Sequence, residues 1–422
     1  MSEPAGETQV LAEKLERARS DPLSSPALGT ASSDLIEPCA VREPEPAVPP
    51  PRAELGLALA FSGGGFRASL AALGVLRFVA DAGLLERVRY VSSVSGGSVA
   101  HGLFARHYLE LEQEQFSAEA LDRIVIEPFI ERISGHSLIW KLVRNAWRMI
   151  GPRTRTHLLA QSFDEWFYGG RQLEELSPRC RFVFNAANLT TGVRFGFERD
   201  VFGDYVLGRR VTAGSGLRLA DAVAASAAFP GAFAPLVLRD FEFPCAEGRV
   251  AKLLDGGAYD NMGLEAVDDL PETFLVALNA GGLFHTGRIG KVPFIRNLTR
   301  VNSLLYRQST ALRRREMVSR FQAFEKARAA GQPPPEWGRQ GVLFGLATTF
   351  DEPSPKWIEG RPEHEEVRLK LALVKTTFAR FRRELCRQLV YRGWWLAGCS
   401  VATFHPDLVA ELPHWRPLVG ET

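Results

Sequence analysis

"LALAFSGGGFRASL", residues 57–70, sets five apolar residues against three consecutive glycines and then a stretch of helical texture. Glycine loses more backbone freedom on folding than any other residue. Three in a row between a strand and a helix therefore mark bare backbone that must approach something closely. Their N–H groups can turn toward one point, and the positive end of the following helix adds to the attraction. The loop is thus a site for an anion: either a cofactor phosphate or the negative oxygen of a reaction intermediate.

The flanks place this loop in a fold. In "FRASLAALGVLRFVADAGLL" (66–85), Leu70, Leu73, Leu76 and Val79 recur at helical spacing, and Gly83 is a C-terminal stop. "LGLALAF" (55–61) before it and "RYVSSV" (89–94) after it read as strands. Strand, helix and strand in so short a span form a βαβ unit, which requires a parallel sheet with helices on its faces. "RFVFNAANL" (181–189), "VAKLL" (250–254), "TFLVALN" (273–279) and "GVLFGLATTF" (341–350) are further strands, and a long helix is expected between Glu365 and Tyr391. The fold class is therefore α/β, with a parallel-dominated central sheet flanked by helices.

The 422 residues, 45% of them hydrophobic, can bury a sizeable core, and a net charge of +2 makes nucleic acid an unexpected partner. Residues 1–52 read as a disordered tail, proline-rich in "REPEPAVPPPR" (42–52), with a short helix around Gln9 to Arg19. Residues 53–400 form the main domain, with a helical insertion at about 110–175 and a helical C-terminal part, and 401–422 read as a second tail. The five cysteines, Cys39, Cys180, Cys245, Cys386 and Cys399, are odd in number and lack metal-ligand spacing. They are expected as reduced thiols of a cytoplasmic protein. The charged start has no signal-peptide core, and no apolar run reaches the ~18 residues of a membrane span.

Three places can carry chemistry. The first is the loop Gly63, Gly64 and Gly65. Gly63, Gly65 and Ala68 formally satisfy the dinucleotide pattern G-x-G-x-x-A, but the second strand ends in "VSSVSGGS" without the acidic residue that pattern needs. The second is Ser95, in Ser93-Val94-Ser95-Gly96-Gly97. A nucleophile on a sharp strand-to-helix turn needs small neighbours two positions either side. Here a serine stands where G-x-S-x-G has its first glycine. Ser92, Ser93 and Ser98 compete, but only Ser95 has small residues at both offsets and lies at the strand end. A polar N-cap with a glycine turn is the plainer reading. The third is Asp255 in "KLLDGGAYDNMGLE" (252–265), a carboxylate expected at the carboxyl end of a parallel strand, or else an ordinary D-G turn. Together on one sheet edge they would supply an anion nest, a nucleophile and a carboxylate, the parts of an acyl-enzyme hydrolase.

"SGGGFRA", "VSGGS" and "LLDGGAYDN", in that order, resemble the patatin-like phospholipases and the related cytosolic phospholipases A. "LADAVAASAAFPGAFAPL" (219–236) is similar to a fourth segment of that family, and "VKTTFARFRRELCRQLVYRGWW" (374–395) to its closing helix. The resemblance spans about 55–263. It implies a three-layer patatin-like architecture and a Ser95–Asp255 dyad, with no cofactor or metal. It also implies that Gly63, Gly64 and Gly65 form the oxyanion loop and that Arg67 helps to hold a lipid phosphate. The substrate so implied is a phospholipid or another ester at a membrane surface. Alternatives are a neutral-lipid or lysophospholipid esterase, a Ser-Asp-His hydrolase using His285, His405 or His414, a nucleotide-binding protein, and an inactive lipid-binding module.

"SLIWKLVRNAWRMIGPRTR" (137–155) places Ile139, Leu142, Val143, Ala146, Trp147 and Ile150 on one helical face and Lys141, Arg144 and Arg148 on another. A basic amphipathic helix with tryptophan suits an anionic membrane. The plainer expectation is a helix packed on the core with its basic face in water. A second basic region, from Lys291 to Arg328, reads as a solvated helix face.

Overall fold

Along strand β1 (Gly56–Phe61) the side chains alternate between two separate cores: Leu57, Leu59 and Phe61 enter one, Ala58 and Ala60 the other. A strand buried on both faces belongs in the middle layer of three. The computed structural model describes residues 37–41, 44–49, 55–145, 147, 154–270, 272–282 and 293–418, and the side chains of 293–299 and 302 fall outside that description. The helix expected near Gln9 to Arg19 and His285 lie outside the described residues.

Chain order runs β1, helix α1 (Gly65–Asp81), β2 (Val88–Ser93), α2 (Gly96–Gln113), α3 (Leu138–Arg144), α4 (Arg155–Phe163) and β3 (Arg181–Asn188). Then come β4 (Arg194–Phe197), β5 (Val201–Asp204), β6 (Gly208–Val211), α5 (Leu219–Ser226), β7 (Leu236–Leu238) and β8 (Ala251–Asp255). Last are β9 (Thr273–Asn279), α6 (Pro293–Ala329), β10 (Gly341–Gly345) and α7 (Arg383–Phe404). The strand order is β10-β9-β1-β2-β3-β4-β5-β6. From β10 to β3 the pairs are parallel, and from β3 to β6 antiparallel. This is the expected parallel-dominated α/β sheet, with a hairpin extension at one side.

One face of the sheet is covered by α1, α2 and α7. Helices α1 and α7 cross where an added Cβ on Gly74 would lie 2.0 Å from the Val390 carbonyl, and one on Gly393 would lie 2.1 Å from that of Ala71. The two backbones therefore touch, and only glycine fits on either side. The opposite face is covered by the C-terminal half of α6, through Met317 and Phe321.

Four expectations change. First, β8 is antiparallel to β3, not part of the parallel set. Second, the long helix expected between Glu365 and Tyr391 is two helices, Glu365–Ala372 and α7, because residues 373–382 form a strap over the glycine loop. Backbone carbonyls of that strap accept hydrogen bonds from Phe66 and Arg67 and so cannot serve a helix. Third, Cys39 and Cys245 are joined in a disulfide, contrary to five reduced thiols, while Cys180, Cys386 and Cys399 are buried and form no disulfide among the described residues. With Cys39 N–H donating to the Tyr205 carbonyl and Arg89 to that of Pro49, part of the stretch read as a tail is fastened to the sheet. Fourth, residues read as the C-terminal tail pack on the core: α7 runs to Phe404, Leu418 is buried, and Trp415 stacks edgewise on Tyr391 and Trp394.

Candidate active site

Strand β3 outruns its neighbour β2. The register pairs Ser93 of β2 with Phe184, and β3 then continues past the end of β2. The side of β3 so vacated is taken by β8, which comes from the opposite direction and pairs Asp255 with Ala186. β4 occupies the other side of β3 at both levels, so β2 and β8 share one line. Their carboxyl ends meet head to head. Ser95 leaves one end and Asp255 closes the other.

Ser95 is the residue between β2 and α2, with φ 52° and ψ −119°. A positive φ is strained for a side chain other than glycine, and such strain needs a surrounding structure that enforces it. Here the Ser95 N–H donates to Ser226 Oγ at 2.9 Å, from the last residue of α5. Close packing enforces it too. A Cβ on Gly97 would lie 2.5 Å from the Phe61 carbonyl, and one on Gly96 would lie 2.1 Å from that of Gly65. The elbow and the glycine loop are therefore stacked backbone on backbone.

The competing serines are spoken for. Ser92 donates to the Gly263 carbonyl and accepts from Asn185. Ser93, Ser98 and Ser226 form a buried chain with His101: Ser226 with the Asn185 carbonyl at 2.6 Å, Ser98 with Ser226 at 2.9 Å, Ser93 with Ser98 at 2.9 Å, and His101 Nδ1 with Ser93 at 2.7 Å. Each hydroxyl has one proton. Ser226 gives its proton to a carbonyl, so Ser98 must donate to Ser226, Ser93 to Ser98, and His101 Nδ1–H to Ser93. That fixes the imidazole as the Nδ1–H tautomer, and burial holds its pKa well below the ordinary value, so it is neutral.

The Ser95 side chain acts on the Asp255 carboxyl and favours its ionised form. Burial pushes the Asp255 carboxyl up to about 6, against the opposing pull of Ser95 and of the Gly257 N–H, which donates at 2.9 Å. A free aspartate, at ~3.9, is a poor base at neutral pH. Desolvation supplies the missing basicity while leaving most of the group ionised near pH 7.

In the glycine loop, the Gly63 N–H donates to the Asn261 carbonyl at 3.0 Å and the Phe66 N–H to that of Thr377 at 3.0 Å. Gly63 is thus corrected as a donor: its N–H is committed. Gly64 and Gly65 remain, with no partner for their N–H groups among the described residues. Gly63 serves instead by its bareness, since a Cβ there would stand 2.6 Å from Asn261 Oδ1 and 3.2 Å from the Ser95 Cβ.

Arg67 is also corrected. Its guanidinium is buried, 1% exposed, and bonds the Ala280 carbonyl at 2.7 and 3.2 Å, the Val374 carbonyl, and Thr376 Oγ1 at 3.3 Å. It ties two loops behind Gly64 and offers no free face to a phosphate. Burial lowers its pKa to about 10, which still leaves it charged.

Of the alternative histidines, His405 stacks edgewise on Phe274, near the start of β9, whereas the loop after Asn279 at the far end of β9 lies beside the glycine loop. At ~3.3 Å per residue, five residues of strand separate it from the site. His414 is exposed in the C-terminal segment. Two neighbours of Ser95 and Asp255 carry no sequence signal of their own. Asn261 Oδ1 lies within 2.7 Å of the space above both Gly63 and Gly257, and Tyr306 of α6 leans its ring edge over Gly257.

Of the amphipathic stretch, α3 (Leu138–Arg144) is described, with Arg144 in water as expected, while Ala146, Arg148 and Ile150 lie outside the described residues. Leu138 and Leu142 turn inward, Lys141 pairs with Glu165 over the Trp166 ring, and Ile139, Trp140 and Val143 face solvent. The basic stretch of α6 is a helix face engaged in ion pairs, Arg313 with Glu265 and Arg320 with Asp269. Among the described residues no helix is long and apolar enough to cross a membrane.

A family model, patatin-like phospholipase, matches residues 59–268. No curated protein matches the chain. Among solved structures, human GIVD cytosolic phospholipase A2 in complex with methyl gamma-linolenyl fluorophosphonate is similar at 15% identity and a TM-score of 0.43, over 86% of this chain and 60% of that one. The same human enzyme without that inhibitor gives 13% identity and a TM-score of 0.43, over 86% of this chain and 59% of that one. VipD from Legionella pneumophila gives 14% and 0.32, over 80% of this chain and 67% of that one. The chain thus spans under two thirds of the length of those human phospholipase chains.

Proposed function

Because this chain belongs to the patatin-like phospholipase family, we propose that it is a lipid acyl hydrolase that cleaves carboxylic esters of glycerophospholipids through a Ser95–Asp255 dyad. The observation that carries this reading is a serine held at φ 52° that acts on a buried carboxyl raised to about 6. Asp255 takes the Ser95 proton as Oγ attacks the ester carbonyl. Negative charge then develops on the carbonyl oxygen beside the N–H groups of Gly64 and Gly65. One such donor is worth roughly 3 kcal/mol in the transition state. The C–O bond to the lipid alcohol breaks, the proton held by Asp255 passes to the departing oxygen, and the acyl group stays on Ser95. Water, activated by the same carboxylate, releases it as a fatty acid. Ile139, Trp140 and Val143 supply an apolar tip with which the protein meets its lipid at a membrane surface.

Two measurements test this. A fluorophosphonate probe should label the wild type and leave Ser95→Ala unlabelled; an unlabelled, folded wild type would sink the enzyme reading. Product analysis on defined phospholipids should then show Ser95-dependent release of fatty acid. Release from acylglycerols or lysophospholipids alone would move the substrate to those esters.

A further inference from the structure

The hydroxyl of Tyr306 is buried beside the dyad and has no hydrogen-bond partner among the described residues. Buried polar groups are nearly always paired, and an exception calls for a reason. The place of this one is specific. The ring carbon Cε1 lies 2.5 Å from where a Cβ on Gly257 would stand, and that same point is 3.0 Å from Asp255 Oδ1. Phe229 packs against the ring, with centroids 5.9 Å apart. The helix α6 thus presents a phenol to the flank of the carboxylate without a bond to it.

We propose that Tyr306 is a catalytic residue that donates its O–H to the leaving-group oxygen of the scissile ester. The inference rests on the hydrolase reading above. The proton that Asp255 takes from Ser95 has one destination in the acylation step, the departing alcohol. That oxygen must therefore sit next to Asp255, on the flank where Tyr306 waits. As the Ser95 Oγ–carbon bond forms and the carbon–alkoxy bond breaks, electron density collects on the alkoxy oxygen. Asp255 supplies the proton that neutralises it. Tyr306 keeps its own proton and only lends a hydrogen bond. Burial and the nearby Asp255 charge both push the phenol pKa above its ordinary value, so the group is a donor throughout and never competes as the acid.

This role depends on the leaving group, and a structural role does not. An alkoxide needs help to depart, whereas p-nitrophenolate leaves unaided. The test compares kcat/KM of the wild type and Tyr306→Phe on the ethyl and the p-nitrophenyl esters of one fatty acid, with Ser95→Ala as the control. The phenylalanine keeps the ring against Gly257 and Phe229, and an unchanged unfolding temperature verifies that. The ethyl ester should lose about tenfold, the worth of one hydrogen bond made in the transition state, and the p-nitrophenyl ester less than twofold. Equal losses on both esters, no loss on either, or a loss confined to the p-nitrophenyl ester would each overturn the assignment. Absence of any Ser95-dependent turnover in the wild type would overturn the hydrolase reading itself, and this inference with it.

Discussion

Ser95 and Asp255 close two strands that run toward each other along one side of β3, with Asp255 level with Ala186 just beyond the end of β2. A serine and a carboxylate taken from parallel neighbours would sit side by side, about one strand spacing of ~4.8 Å apart. Taken from opposed strand ends, they face each other in line. The carboxylate enters the site from beyond the sheet edge that carries the elbow, and the protein around it excludes water. That is the origin of its raised pKa.

Protonation of Asp255 should therefore govern activity. Between pH 8 and pH 7, kcat/KM should change little, and below pH about 6 it should fall tenfold per pH unit. A pH profile on a water-soluble ester checks this.

The same shift has the opposite sign for stability. Between ~4, the unfolded value, and about 6, the folded protein binds the proton more tightly than the unfolded chain. Stability from this group is present below pH ~4 and lost as pH rises through 6. Two pKa units correspond to about 3 kcal/mol. Asp255→Asn, which keeps an acceptor for Gly257, should thus abolish turnover yet raise the unfolding temperature at pH 7. The gain should disappear by pH 4.

The three glycines should respond differently to alanine. Gly64 has φ 148° and would drive a Cβ to 2.5 Å from the Ala280 carbonyl, so Gly64→Ala should cost upwards of ~2 kcal/mol in denaturant unfolding. Gly63 has an ordinary φ, and its added Cβ would meet chiefly the tip of Asn261. Gly63→Ala should fold well and lose activity by displacing Asn261 and crowding Ser95.

Arg67→Met should strand the buried carbonyl of Ala280, at about 1–3 kcal/mol, and release the half-buried one of Val374. Its activity should fall by the same factor on a phospholipid and on a neutral acylglycerol. A loss confined to the phospholipid would restore Arg67 as a phosphate ligand.

The Cys39–Cys245 disulfide closes a loop with a sequence separation of 206. On a chain-entropy account, such a cross-link stabilises by roughly 5 kcal/mol. Reductant should lower the unfolding temperature of the wild type and leave that of Cys245→Ser unchanged.

How much of this could be read from the chain depends on distance. β1, the glycines and α1 are contiguous, so their spacing shows strand, turn and helix together. Ser95 is legible for the same reason, since its small neighbours lie within two positions. The direction of β8 is not legible, because it is set by pairing with β3 across the intervening hairpins and α5. The partnership of Cys39 with Cys245 is equally remote. Arg67 shows why residue type misleads: the chain displays a cation beside an anion loop, and only the fold reveals that backbone carbonyls surround it. Asn261 was in view within "LLDGGAYDN" yet carries no spacing signal, and Tyr306 is an unmarked residue of a long polar helix.

The hydroxyl chain beneath the elbow leaves a mutational signature. Ser93, Ser98 and Ser226 pass their protons in a single direction, from His101 to the Asn185 carbonyl. Removing any one strands a donor on one side and an acceptor on the other, so the first substitution carries most of the cost. Alanine at two of these positions should therefore cost far less than the sum of the two single changes. Three residues spread over two helices and a strand will behave, genetically, as one.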